Sequence, residues 1–290
     1  MTSKISSLIL CLLMMLPWSL TYASLDFSLV QRFAVLSDDT YLDSAELAQR
    51  LDAQDQRLIH QSLITQSQVS YFLSDEGGTQ TIAIRGTANL ENAMLDLNIA
   101  LNPNATLGIK LHQGFDAGAK AVYDDIKPFL DRHSPIHLTG HSLGGAIAVI
   151  LALYLQQDGY DVTQVVTFGQ PKVTNVTGAN RYKALPLLRV VTLEDIVPLV
   201  PPISPLQIKE LDIFWHIGEE IILMDKQTYS QTNGVKAMLR ATKFTTSIPS
   251  DKNLNAHRMS TYLTLLESLQ TTPKKVPYKT NINVFGFSFD

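Results

Sequence analysis

The chain has 290 residues, is 45% hydrophobic and 17% charged, and carries 23 basic against 27 acidic side chains, a net charge of −4. That apolar fraction excludes a disordered chain. With no run of more than two basic residues, nothing supplies the basic face that nucleic-acid phosphates need, and the acidic balance argues against electrostatic docking on anionic lipid.

The first residues are of a different kind. Lys4 is the only charge before Asp26, and Leu8 to Leu20 is nearly all apolar, interrupted by Pro17. Thr21-Tyr22-Ala23 then offers small residues at the two positions a signal peptidase reads. The pattern predicts a secretory signal peptide over residues 1–23 and an exported protein, secreted or periplasmic. The apolar run is about 13 residues, short of the ~20 that a spanning helix needs. An uncleaved anchor is the competing reading. Cys11, the only cysteine, leaves with this segment, so the mature chain from Ser24 has no thiol catalysis and no cysteine zinc site.

No Gly/Ser or Pro linker divides residues 24–290, which predicts a single domain. Residues 27–36 carry Leu29, Phe33 and Leu36 at helical spacing, and a second helix is expected after Asp43. Val69–Leu73 and Thr81–Arg85 read as strands around a Gly77-Gly78 turn. Residues 116–131 read as a helix, Ile136–Thr139 as a strand and Ala146–Leu155 as an apolar helix. Strands follow at Val165–Phe168 and Leu187–Val191, and at Ile213–Met224 with a break at Gly218. Ala256–Leu269 is the last predicted helix. Alternating strands and helices predict an α/β fold with a mainly parallel central sheet and helices on both faces. The aromatic tail from Asn281 has no assignment.

Gly140-His141-Ser142-Leu143-Gly144 is a G-x-S-x-G pattern between a predicted strand and a predicted helix. A serine hydroxyl is a weak nucleophile unless it is exposed on a sharp turn and a base takes its proton. The flanking glycines let neighbouring backbone pass. In a parallel sheet the other groups belong at the carboxyl ends of strands. Asp195 follows the strand Leu187–Val191 on that edge, in a loop stiffened by Pro198, Pro201 and Pro202. Asp225 is its rival. Asp158 and Asp161 precede a strand and fall on the opposite edge. With the order Ser, Asp, His, only His216 and His257 follow Asp195. His257, at the predicted start of the last helix, is preferred, because a helix N-terminus disfavours imidazolium. His141 is read as packing. Oxyanion donors are expected from the Leu143 N–H and from Thr87, after the strand ending at Arg85. A plain turn is the competing reading of Thr87.

Taken together these segments resemble the class 3 lipase family, the filamentous-fungal triacylglycerol lipase type of α/β-hydrolase. The resemblance runs in order through Ile84-Arg85-Gly86-Thr87, His112-Gln113-Gly114-Phe115, Thr139 to Ala146, Thr167 to Val173, Arg189-Val190-Val191 with Asp195 to Pro198, His216-Ile217-Gly218, and His257-Arg258-Met259 with Tyr262. It implies Ser142 as nucleophile, Asp195 as acid, His257 as base, and oxyanion contacts at Thr87 and Leu143. The chain departs from the family at Asn92 to Asp96, which lacks a tryptophan, and in lacking disulfides.

Residues 89–101 carry Leu90, Met94, Leu97 and Leu101 on one helical stripe, where family members carry a lid. Leu90 and Met94 are therefore expected to meet substrate, or else to belong to a fixed surface helix. The reading is a serine carboxylester hydrolase, a lipase acting on acylglycerol esters, working without cofactor or catalytic metal on a lipid or other ester substrate. A phospholipase A1, a feruloyl-type or short-chain esterase, and a silent lipid-binding protein are the alternatives.

Overall fold

A computed structural model describes residues 25–87, 100–202, 204–210, 212–225, 227–232, 234, 250–279, 283–284 and 287–288. Its first helix, α1 (Phe27–Asp39), starts where the Asp26 carboxylate accepts the N–H groups of Ser28 and Leu29 at 2.9 and 3.2 Å. Asp43 does the same for α2 (Ser44–Asp52), accepting from Ala45 and Glu46 at 2.9 Å. A short acidic side chain just outside a helix satisfies N–H groups that the helix cannot.

The strands that follow are β1 (Arg57–Ile64), β2 (Val69–Glu76), β3 (Thr79–Ile84), β4 (Leu101–Asn104) and β5 (Ile109–His112). Helix α3 (Gln113–Ile126) leads to β6 (Ile136–His141), then α4 (Leu143–Gln157), β7 (Val162–Phe168), β8 (Thr174–Asn175), α5 (Val176–Arg181) and β9 (Leu187–Thr192). Next come α6 (Pro205–Glu210), β10 (Phe214–Trp215), β11 (Glu219–Leu223), β12 (Thr228–Thr232), α7 (Asp251–His257), α8 (Met259–Ser268) and β13 (Lys274–Lys275).

Nine strands form one sheet in the order β1-β2-β3-β6-β7-β9-β11-β12-β13. From β3 to β11 every pairing is parallel, and antiparallel pairs flank this centre. This is the expected α/β architecture. Side chains alternate across it. Tyr71, Leu73, Ile82 and Ile84 pack under α3 and α4 on one face. Phe72 and Ala83 meet Leu36, Leu47 and Leu51 on the other. Farther along that second face, Val166, Phe168 and Val190 meet α1 and α8 through Phe33, Tyr262 and Leu266. Every residue of α4 from Gly144 to Leu155 is buried, as its uninterrupted apolar run demands.

Three expectations need correction. The last predicted helix is two helices, broken at Arg258 in extended backbone (φ −66°, ψ 141°). The first of them is held on the end of β9: Asn253 Nδ2 donates to the Glu194 carbonyl at 2.8 Å, and Thr192 Oγ1 donates to that of Ala256 at 3.0 Å. Tertiary bonds thus override an apolar period that runs through both. Second, the two halves of Ile213–Met224, on either side of the expected break at Gly218, belong to different sheets, with β10 in a smaller sheet ordered β10-β8-β5-β4. Strands of two to four residues are too short for a periodicity argument. Third, Leu101 opens β4 and pairs with His112, so the stripe drawn over 89–101 does not continue to it as helix. Leu90 and Met94 lie outside the described residues.

Leu151 is fully buried in α4 and Leu63 is 54% exposed on β1. In urea unfolding, Leu151→Ala should lose about 2–5 kcal/mol and Leu63→Ala stay within about 0.5 kcal/mol. Equal losses would disprove the assignment of α4 to the core.

Candidate active site

Ser142 sits between the last residue of β6 and the first of α4 at φ 58° and ψ −129°. Residues with a side chain avoid this conformation unless their surroundings enforce it. Here the Ser142 N–H donates to the Phe168 carbonyl of β7 at 2.8 Å, and the Ser142 carbonyl accepts from Ala146 at 3.2 Å. The adjacent glycines make the crossing possible. A Cβ on Gly144 would lie 2.2 Å from the Ile84 carbonyl oxygen, one on Gly140 2.6 Å from the Gly144 carbonyl carbon, and one on Gly145 2.9 Å from the Gly140 oxygen. Strand, turn and helix meet at backbone contact with no room for a side chain.

Asp195 stands in the loop after β9, at the same sheet edge. Its Oδ2 accepts from His257 Nδ1 at 2.8 Å and from the Tyr262 hydroxyl at 2.5 Å, and its Oδ1 accepts from the Val197 N–H at 2.9 Å. Both side chains of the Asp195–His257 pair are buried. Burial alone would raise the Asp195 carboxyl. The charge available on His257 and the hydrogen bonds from His257, Tyr262 and Val197 outweigh it, and hold the group below its ordinary value. An ionised Asp195 only accepts, so Nδ1 carries the proton and Nε2 of a neutral imidazole is left with its lone pair. That Nε2 is buried with no hydrogen-bond partner among the described residues. Gly169, at φ 60°, passes beneath the pair: a Cβ there would lie 2.7 Å from His257 Cε1 and 2.8 Å from Asp195 Oδ2.

His257 is the last residue of α7, ahead of the break at Arg258. The expected placement on the first turn of the last helix is therefore corrected, and with it the argument from that helix N-terminus. Thr87 lies one residue beyond Gly86, where a Cβ would come 3.1 Å from Ser142 Cβ, so the Thr87 loop runs against the elbow. Leu143 is the first residue of α4, where an N–H has no partner inside the helix. The rival residues fall elsewhere. Asp225 is exposed in the turn after β11. Asp158 pairs with Lys127 and Arg132. His216 bonds the Pro198 carbonyl through Nε2 at 2.7 Å and so supports the acid loop.

Three participants escape the sequence reading. Tyr262 supplies a hydroxyl to Asp195 from α8. Lys172 is buried and donates to the carbonyls of Leu199 and Pro201 at 2.5 and 2.8 Å, holding the loop that follows Asp195. His141, read as packing, bonds the Tyr41 hydroxyl through Nδ1 at 2.9 Å and the His257 carbonyl through Nε2 at 2.7 Å. Among the described residues no group of three or more metal-ligating side chains is assembled.

Two buried histidines give the fold an acid limit. Burial, aided by the nearby charge of His257, holds His141 down to about 3, and burial holds His112 down to about 4. Once unfolded, each protonates near 6.5. Between those values the unfolded chain binds more protons, so stability rises with pH and is lost as pH falls. Each histidine should cost roughly 1.4 kcal/mol of unfolding free energy per pH unit as pH drops from about 6 to about 4.5. His112→Asn should reduce the measured slope by that amount. An unchanged slope would assign the titration to other groups.

Residues 81–204 match the model of the family described as lipase (class 3). The lipase of Rhizomucor miehei is 30% identical over 164 residues, 52% of this chain and 43% of that protein. Secreted mono- and diacylglycerol lipase 1 of Fusarium solani is 31% identical over 131 residues, 42% of this chain and 39% of that protein. The chain thus spans about two fifths of the length of these curated relatives. Among solved structures, the Lip2 lipase of Yarrowia lipolytica superposes with a TM-score of 0.59 at 25% identity, over 68% of this chain and 80% of that one. Over residues 81–204 the chain is similar to the class 3 lipase family, and the fold agrees with that likeness.

Proposed function

We propose that the chain is an exported serine carboxylester hydrolase acting on acylglycerol esters, with Ser142 as nucleophile, His257 as base and Asp195 as the acid that orients it. The observation that carries this reading is the buried Asp195–His257 pair at 2.8 Å. It ends on an Nε2 without a partner among the described residues, on the sheet edge where Ser142 occupies its strained turn. The substrate class follows the relatives, which are lipases, one of them for mono- and diacylglycerols. The apolar run Leu8–Leu20 and the small residues before Ser24 support export, with residues 1–23 as leader and 24–290 as one catalytic domain. Among the described residues no helix is long and apolar enough to cross a membrane.

In this reading His257 Nε2 takes the Ser142 proton as Oγ attacks the ester carbonyl. Asp195 keeps the ring in the tautomer that can accept, and stabilises the imidazolium that forms. The developing oxyanion meets the Leu143 N–H at the head of α4 and the Thr87 N–H beside Gly86. The imidazolium then protonates the leaving alcohol and the acyl-enzyme remains. Water, activated by the same Nε2, releases the acid and restores Ser142.

The purified chain should hydrolyse long-chain p-nitrophenyl esters and acylglycerols. Ser142→Ala should abolish turnover, and Asp195→Asn should lower kcat by about 10³–10⁴. Preference for short acyl chains with the same dependence on Ser142 would replace the lipase by a soluble esterase. Turnover that survives Ser142→Ala would overturn the mechanism.

A further inference from the structure

We propose that Tyr41 and His141 are positioning residues, a hydrogen-bonded chain that ties the oxyanion loop to the backbone of the base. The proposal rests on the hydrolase reading above. It starts from the direction in which each proton must lie. Gly86 lies against the Tyr41 hydroxyl oxygen. A Cβ on Gly86 would lie 2.6 Å from that oxygen and 2.6 Å from the His141 carbonyl oxygen, so the loop is pressed against both residues. The other ring nitrogen of His141 faces a backbone carbonyl and must carry the ring proton, so Tyr41 gives its own proton to His141 Nδ1, 2.9 Å away. Nδ1 therefore accepts, and the ring proton of His141 is on Nε2. That group donates to the His257 carbonyl at 2.7 Å, which can only accept. The His257 carbonyl fixes the direction, and a single proton arrangement satisfies both hydrogen bonds. His141 is buried and held neutral, down to about 3, so it does not add a charge next to the base ring, whose centre is 4.5 Å away.

The ends of this chain are the two places where charge develops together during acylation. At one end, the Tyr41 hydroxyl abuts Gly86 and so sets the backbone before Thr87, and with it the aim of the Thr87 N–H. At the other, His141 holds the carbonyl of His257, where α7 has ended and α8 has not begun. Neither side chain needs to touch substrate. An error of about 1 Å in either group can cost 10²-fold in rate. Losing the chain should therefore lower kcat and leave KM nearly unchanged.

Tyr41→Phe removes one oxygen and keeps the ring. With p-nitrophenyl esters and the full chain, kcat should fall about 10- to 100-fold, with KM within about twofold. A p-nitrophenyl alkylphosphonate should still titrate one serine per molecule. His141→Gln should cost a similar factor, and the double variant no more than the larger single loss, because one chain is broken in either case. The proposal is overturned if Tyr41→Phe keeps kcat within about twofold, if its loss matches a loss of titratable serine, or if the two losses multiply. Imidazole ¹⁵N NMR reads the network without turnover: Nε2 protonated and Nδ1 bare on His141 supports it, and the opposite tautomer overturns it. If the unsubstituted chain lacks Ser142-dependent turnover, the hydrolase reading fails by that result alone, and the NMR still judges the hydrogen-bonded chain.

Discussion

A carboxylate without exposed surface is the constraint around which this site is arranged. Removing Asp195 from water is costly unless donors replace the water it loses. Those donors come from three parts of the chain: the Val197 N–H two residues on, the His257 ring at the end of α7, and the Tyr262 hydroxyl on α8. Each must arrive in register for the group to remain ionised. The contacts that secure the register are neighbours of these donors. Asn253 and Thr192 bind α7 to the end of β9, while Lys172 and His216 hold the loop beyond Asp195 from the other side.

The elbow answers a different demand. Ser142 is exposed to strain because β6 must turn directly into a helix that lies against β3 and β7. The close passage of Gly144 under the Ile84 carbonyl brings the end of β3, and hence the Thr87 loop, to the serine. Sheet order does the rest, since β3, β6, β7 and β9 are adjacent and parallel. Their carboxyl ends put the Thr87 loop, Ser142, Gly169 and Asp195 along one edge. What looks like a cluster of side chains is largely a consequence of four strands sharing a direction.

How much of this could be read from the residues follows from where each constraint lies. The elbow is local: its glycines answer contacts made within a few residues, and strands buried on both faces announce themselves by composition, as does α4. The placement of Asp195 needed only an edge rule, and that of His257 an order along the chain. The partners of these residues were not legible. Tyr262 lies 67 residues from Asp195, and the two bonds of His141 span 100 and 116 residues. No period or motif encodes such a distance. The break at Arg258 was hidden for the same reason. The apolar pattern runs on through it, and the bonds from Thr192 and Asn253 that stop the helix are tertiary.

The split between α7 and α8 has a consequence for assembly in time. The region matched to the family model ends at residue 204, with Ser142 and Asp195 inside it and His257 and Tyr262 beyond. A chain made from its amino end therefore completes its elbow and its acid loop before the imidazole exists. Until α7 docks on β9 and α8 delivers the Tyr262 hydroxyl, Asp195 lacks two of its three donors, and Ser142 lacks the base that the proposed mechanism gives it. Under the proposed mechanism, growing or truncated chains stay chemically silent until the last helices arrive and arm the site.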